Sequence, residues 1–256
     1  MGVELSINNP TNSFEWVVHL AKEYSRMFLE GTWVTLYMAV IGTVIGFLIG
    51  FALGIVGDTK INKEDRFIKK ILIRMIKVIS VIYVEVFRDT PMIVQAMVIY
   101  YGLRSFGVQI TPIPAGILVT FLNTGAYMSE TVRAGINSID IGQREGAYAL
   151  GMSPIKTMFV VVLPQAFRNI IPEMANMFLT NLKMTSVLNV IGVSELFLVA
   201  KTTGAVYYKY FEAYLVIAVI YFVLCFVCNQ LFILMEKKLA GKNDYVLAVE
   251  FMDDGQ

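Results

Sequence analysis

Gln143-Arg144-Glu145-Gly146-Ala147-Tyr148-Ala149-Leu150-Gly151, followed by residues 152–162 and Leu163-Pro164, opens a polar interruption between two long apolar segments. Its chemistry predicts two short helices set at an angle. Asp140 can cap the first, with Gln143 reaching back three residues later as in a capping box. Gly151 suits the residue after the last turn, where positive φ is needed. Ser153-Pro154 starts the second, with a hydroxyl at N-cap and proline at N1. Gly146, Ala147 and Ala149 are small, so the first helix can press closely against another surface. Flanked by apolar segments, this stretch must lie in water on one face of a membrane.

The rest of the chain agrees with a membrane. It has 256 residues, 57% hydrophobic and 16% charged, with mean hydropathy +0.65. A bilayer crossing takes about 20 apolar residues, and this composition supplies several. The net charge of +1 gives no electrostatic reason to expect nucleic acid. Residues 1–30 lack a basic stretch followed by an apolar core, so no cleavable signal is expected. No Gly-x-x-x-x-Gly-Lys-Ser/Thr loop is present, so ATP chemistry would come from another chain. Cys225 and Cys228 lie within an apolar span with no His or further Cys nearby, and read as small apolar filler rather than metal ligands.

Residues 14–28 place Phe14, Val17, Val18, Ala21 and Tyr24 at helical spacing, as in an amphipathic helix lying in the interface. His19 on it reads as a solvated surface histidine. The first span covers residues 33–56, with Gly42, Gly46, Gly50 and Gly54 forming a stripe for close helix packing. Lys60, Lys63, Arg66, Lys69, Lys70, Arg74 and Lys77 follow. Without interleaved stacking aromatics this is not a nucleic-acid patch, and the positive-inside rule puts it in the cytoplasm. The N-terminus is then outside and the C-terminus inside, after five spans. Residues 71–87 read as a cytoplasmic-side amphipathic helix leading into a second span at 91–106. A third span covers 114–133, and a fourth starts near Ile170. Residues 186–210 predict an outer-face helix or gate, and 211–235 the last span. The divisions are 1–31, 32–235 and 236–256.

The spacing Glu145-Gly146-Ala147, Gly151, Val161 and Leu163-Pro164 resembles the Glu-Ala-Ala loop of ABC importer permeases. Gly146 stands for Ala and Val161 for Ile. Glu85-x-Phe87-Arg88-x-Thr90-Pro91, Val94-Gln95 and Ile99-Tyr100-Tyr101-Gly102 resemble the polar amino acid uptake branch, which usually has Gly where Asp89 stands. So do Ala126-Tyr127, Glu130, Arg133-x-Gly135 and Ile191-Gly192-Val193-x-Glu195-Leu196. Leu182-Lys183-Met184-Thr185-Ser186 matches except that Met184 replaces a carboxylate. By resemblance, that loss argues against a cationic amino acid as cargo.

The resemblance implies an all-α membrane protein: five transmembrane helices, the N-terminal amphipathic helix, and a cytoplasmic coupling helix that docks into an ABC ATPase subunit. It implies the permease subunit of an ATP-driven importer for polar amino acids in a prokaryotic cell membrane. Its partners would be ATPase subunits, an extracytoplasmic amino acid binding protein and a second permease copy, most economically an identical one. Gln143, Glu145, Gly146, Ala147 and Gly151 would transmit the ATPase's movement. Arg88, Gln95, Tyr127, Glu130, Lys183, Thr185 and Ser186 would line the pathway, against the alternative of interhelical hydrogen bonds worth about 1 kcal/mol each. The chain itself would be no enzyme and hold no metal or cofactor, with ATP and Mg on the partner. Two rivals stand beside this reading. An ion-coupled secondary transporter would show two inverted halves, which are not evident. An ABC permease for another solute is disfavoured by the Arg88-x-Thr90-Pro91 and Lys183-x-Thr185-Ser186 patterns.

Overall fold

The computed structural model describes residues 10–59 and 66–240. Lys60 and Lys63 of the basic run, residues 1–9 and the tail at 241–256 lie outside the described residues. Those described form helices α1 (Ser13–Glu23), α2 (Ser25–Asp58), α3 (Phe67–Asp89), α4 (Met92–Ser105), α5 (Pro112–Asn137), α6 (Ile141–Ala149) and α7 (Pro154–Thr157). After α7 a wide π-turn, Met158–Val162, leads into α8 (Leu163–Met184). A 3-10 helix (Thr185–Ile191), α9 (Leu196–Tyr207) and α10 (Tyr210–Ala240) complete the chain. Among the described residues α2 and Tyr210–Lys238 are each long and apolar enough to cross a bilayer. The run Pro154–Ile191 with α9, bent by 55°, makes a third if taken as one crossing.

The centre of the fold is the α2–α5 pair, and the glycine stripe explains it. An added Cβ at Gly42 would lie 2.4 Å from the Thr120 methyl. At Gly46 it would lie 2.5 Å from Thr124 Cβ, at Gly50 2.5 Å from Met128 Cβ, and at Gly54 2.6 Å from a Val132 methyl. The two backbones therefore touch along four successive turns, at a spacing that no side chain bigger than hydrogen permits. Met38, Ala115, Val119, Met92, Ala96 and Tyr100 build a core at one end of this pair. Met128, Val132, Ile136, Leu163, Ala166 and Ile170 build one at the other.

The N-terminal helix departs from expectation. It stops at Glu23, and α2 begins at Ser25, eight residues before the expected span. Asn12 Oδ1 caps the helix by accepting from the Glu15 N–H at 2.9 Å, and the Thr11 backbone N–H holds the Glu15 carboxyl below the usual range. Leu20 is buried against Leu196, Ala200 and Ala213, so α1 packs on α9 and α10. His19 is not simply solvated: its Nε2 lies 2.8 Å from Glu23, and its ring meets Trp16 and Tyr207 edge-on.

The second crossing also differs. With 14 residues, α4 is about 21 Å long, short of the roughly 30 Å hydrocarbon core. The helix at 71–87 extends to Phe67–Asp89 and buries no residue, yet its later turns rise alongside α5: Tyr83 Oη donates to the Leu122 carbonyl at 2.6 Å. It is interrupted at Thr90-Pro91, because proline has no N–H to continue the ladder. Gln95 closes the break. Its Nε2 donates to the Phe87 carbonyl, the Thr90 carbonyl and Thr90 Oγ1, all at 2.9 Å. Replacing Gln95 by leucine takes away the donor to the Thr90 carbonyl and leaves Asn123 as the side-chain donor to the Phe87 carbonyl, and a loss of about 1 kcal/mol is expected. A lowered melting temperature of the detergent-solubilised chain would report it; an unchanged one would mean water takes over the amide's bonds.

The fourth helical run starts at Pro154, not Ile170. The π-turn carries the run through Leu163-Pro164, and Gln165 Nε2 donates back to the Val161 carbonyl at 2.8 Å. After Ile191 the chain turns on Gly192 (φ +87°), and Glu195 caps α9 by accepting from the N–H groups of Phe197 and Leu198 at 2.8 and 2.9 Å. Tyr221 Oη of α10 donates to the same carboxylate at 3.0 Å. Cys225 and Cys228 are free and pack with Phe232 beside Phe178 and Leu182, as filler would.

Candidate functional site

Two places draw the polar residues together: a helix that projects from one end, and a layer near the middle of the α2–α5 pair. The projecting helix is α6. Asp140 caps it, but Oδ1 accepts from the Gly142 N–H at 2.7 Å, and Gln143 does not reach back. Gln143 Oε1 instead accepts from Gln165 Nε2 at 3.4 Å, tying α6 to the start of α8. The helix ends as expected: Gly151 has φ +78°, its N–H donates to the Tyr148 carbonyl and the Met152 N–H to the Ala147 carbonyl. This pair of bonds is a Schellman stop. Ser153 Oγ then accepts from the Lys156 N–H at 3.3 Å, starting α7.

Only Ala147 of α6 is buried. Gln143, Glu145, Gly146, Tyr148, Leu150 and Gly151 are exposed, with Leu150 83% and Ile141 68% accessible. Among the described residues the Glu145 side chain has no hydrogen bond or ion pair. A Cβ added at Gly146 or Gly151 meets nothing within 4 Å. Gly146 in place of alanine therefore costs only helix propensity, about 1 kcal/mol. The exposed surface of this short, firmly ended helix carries Ile141, Tyr148 and Leu150 beside Gln143 and Glu145.

The middle layer has one buried knot and one open edge. Asn181 Nδ2 of α8 donates to Thr43 Oγ1 of α2 at 2.8 Å and to Thr124 Oγ1 of α5 at 2.9 Å. Next along α5, Asn123 Nδ2 donates to Gln95 Oε1 at 3.2 Å and to the Phe87 carbonyl at 3.1 Å. The open edge is Arg88, exposed, with its guanidinium 5.6 Å from the Tyr127 ring centroid. Tyr127 Oη lies 3.5 Å from the Arg88 carbonyl.

Arg88, Gln95 and Tyr127 are thus brought together at the Thr90-Pro91 break. Gln95 is buried and its amide is fully engaged within the chain, so its part is to hold the break. Glu130, one turn beyond Tyr127, pairs with Arg133 at 2.8 Å. Thr185 is buried and its hydroxyl turns back to the Leu182 carbonyl, while Ser186 Oγ donates to the Lys183 carbonyl. Lys183 is exposed at the end of α8. No hydrogen bond among the described residues joins Lys183, Thr185 or Ser186 to Arg88, Gln95 or Tyr127. Sequence reasoning missed Thr43, Thr124 and Asn181 as a unit. A threonine among the glycines of the first span was the available signal. Among the described residues no group of three or more His, Cys, Asp or Glu could hold a metal.

The described residues thus form a helical subunit with apolar helices long enough to cross a bilayer, an exposed short helix at one end and a polar break inside. Residues 72–241 match the family described as "Binding-protein-dependent transport system inner membrane component". The chain is similar to the arginine transport system permease protein ArtQ of Bacillus subtilis (strain 168), 40% identical over 63% of this chain and 74% of ArtQ. It is 33% identical to the putative glutamine transport system permease protein GlnP of Rickettsia conorii, over 86% of this chain and 97% of GlnP. A crystal structure of an amino acid ABC transporter with histidines superposes with TM-score 0.77 at 34% identity, covering 90% of this chain and all of that one. The chain belongs to the family of inner membrane components of binding-protein-dependent transport systems, as a permease subunit embedded in the membrane.

Proposed function

We propose that the chain forms the translocation pathway of an ATP-driven importer for polar amino acids, as one of two permease copies. The observation that carries this is α6: an exposed face of Glu145, Gly146, Tyr148 and Leu150, ended by Gly151 at the same end as the basic turns of α3. One ATPase subunit would dock on each α6. An extracytoplasmic binding protein would deliver the amino acid to the opposite face, and ATP binding would shift the complex between inward- and outward-facing states. The assembled complex is then the ATP-hydrolysing translocase, with ATP and Mg held by the partner chains. The similarity to ArtQ, GlnP and the amino acid ABC transporter with histidines supports amino acids as the cargo.

In this reading the chain crosses the membrane five times, its N-terminus outside and its C-terminus in the cytoplasm. The crossings are α2, the later turns of α3 with α4, α5, α8 through the 3-10 helix, and α10. Residues 32–235 make the transmembrane domain, 1–31 the amphipathic lead and 236–256 the tail. The pathway runs past Arg88 and Tyr127 at the break, with Lys183 exposed, Glu130 and Ser186 half-buried, and Gln95 and Thr185 holding the backbone. Asp89 and Met184, which depart from the pattern of the amino acid uptake branch, adjoin this route.

The test is an affinity pull-down of tagged chain from its native membranes in mild detergent, followed by mass spectrometry. A Walker-type ATPase is expected near a one-to-one ratio. An accompanying binding protein would then be titrated with single amino acids to name the cargo. Transport that follows an ion gradient, with no ATPase recovered, would overturn the proposal in favour of a secondary transporter.

A further inference from the structure

The last turn of α2, the middle of α3 and the first turn of α6 meet in a small polar cluster that neither the docking face nor the mid-chain layer uses. Asp58 is the last residue of α2, its side chain 11% exposed, and Oδ2 accepts from Arg144 Nη1 of α6 at 3.1 Å. Arg144 Nη2 reaches the Ile136 carbonyl near the end of α5 at 3.4 Å. Beside them Lys77 Nζ of α3 donates to the Gly57 carbonyl at 3.1 Å. A helix C-terminus carries orphan carbonyls and a partial negative charge, and Asp58 adds a full one. Two cations from two other helices answer it.

Arg144 is well placed to do more than neutralise. Its neighbours Glu145 and Gly146 face outward, while its own side chain, 19% exposed, turns back under the fold. Short turns at 138–140 and 150–153 tether α6 to α5 and to α7, and neither fixes how α6 rolls about its own axis. The ion pair and the Gln165–Gln143 bond do, and of the two the ion pair reaches α2, its members 86 residues apart in sequence. Removing one member of so enclosed a pair leaves the other charge uncompensated.

We propose that the Arg144–Asp58 pair is the positioning contact that carries a displacement of α6 into α2, and through the glycine seam into α5. The inference rests on α6 being the ATPase docking helix. With the chain assembled in lipid vesicles with its ATPase and binding protein, Asp58→Asn should keep the ATPase bound. Its unstimulated ATP hydrolysis and its KM for ATP should be unchanged. Stimulation by the loaded binding protein should fall about tenfold or more, the size of a typical coupling energy. The charge swap Asp58→Arg with Arg144→Asp should recover most of the stimulation, which a merely structural loss would not.

Full stimulation in Asp58→Asn, or a swap no better than either single change, overturns the link. So does loss of the ATPase from Arg144→Gln but not from Asp58→Asn, since Arg144 would then act by touching the partner. If the Asn variant does not accumulate in membranes, the swap alone decides. Failure of the docking reading shows separately, as normal coupling in a Gly151→Asp chain.

Discussion

Gly151→Asp should leave the chain folded in the membrane and bring transport to the background level. Gly151 has φ +78°, and a Cβ there meets nothing within 4 Å. Aspartate is among the few residues that visit the left-handed region, at a cost of about 1–2 kcal/mol. The new carboxylate therefore projects into the space beyond the Schellman stop, where the docked ATPase would sit. Glu145→Lys reverses the charge of an exposed, unpaired side chain one face over and should act in the same direction. The measurement is uptake by reconstituted vesicles, alongside co-purification of the ATPase and melting temperature of the chain. Normal uptake by both variants would remove α6 from the coupling path.

The second large effect belongs to the α2–α5 contact. Gly46→Val should prevent accumulation of folded chain, because even the first added carbon lies 2.5 Å from Thr124 Cβ and 3.0 Å from the Phe121 carbonyl. Overpacking of this kind typically costs about 1–3 kcal/mol for one inserted methylene and more for several. Here it also pulls Thr124 away from Asn181, leaving a buried amide short of a partner. Gly57→Ala is the control, since its Cβ would make only an ordinary 3.7 Å contact with Arg133 Cδ. Thr124→Gly added to Gly46→Ala should restore part of what Gly46→Ala loses. Folded Gly46→Val at wild-type yield, read as a monodisperse detergent peak, would show that the helices stand farther apart than described here.

Much of this architecture is visible in the sequence where one residue type has one physical use. Glycine at every fourth position has no better reason than close packing, and the seam follows. Gly151 and Ser153-Pro154 end and restart helices through backbone geometry alone, so they too were readable. The errors fall where a tertiary contact decides. A run with Arg74, Lys77, Glu85 and Arg88 looks like a cytoplasmic-side amphipathic helix, and the contacts of Tyr83, Phe87 and Arg88 with Leu122, Asn123 and Tyr127 set its later turns beside α5. The span read from Ile170 starts at Pro154, because a π-turn and Gln165 carry the run through Leu163-Pro164. Gln143 had two partners within reach, Asp140 and Gln165, and the distant one won. In the same way Gln95 and Thr185 read as pathway residues from their polarity in apolar surroundings, and both are bonded to backbone.

The glycine seam also sets how this molecule can change shape. From Gly42 to Gly54 the two backbones interlock over about 18 Å of helix, and sliding one past the other by a fraction of a turn would drive Cβ atoms into backbone. The pair is a spar, stiff along its length. What can flex lies at its margins: the interruption before Pro91 and the elbow at Gly192. A subunit made of one spar and two elbows has few ways to open, and each of them swings helices as whole arms.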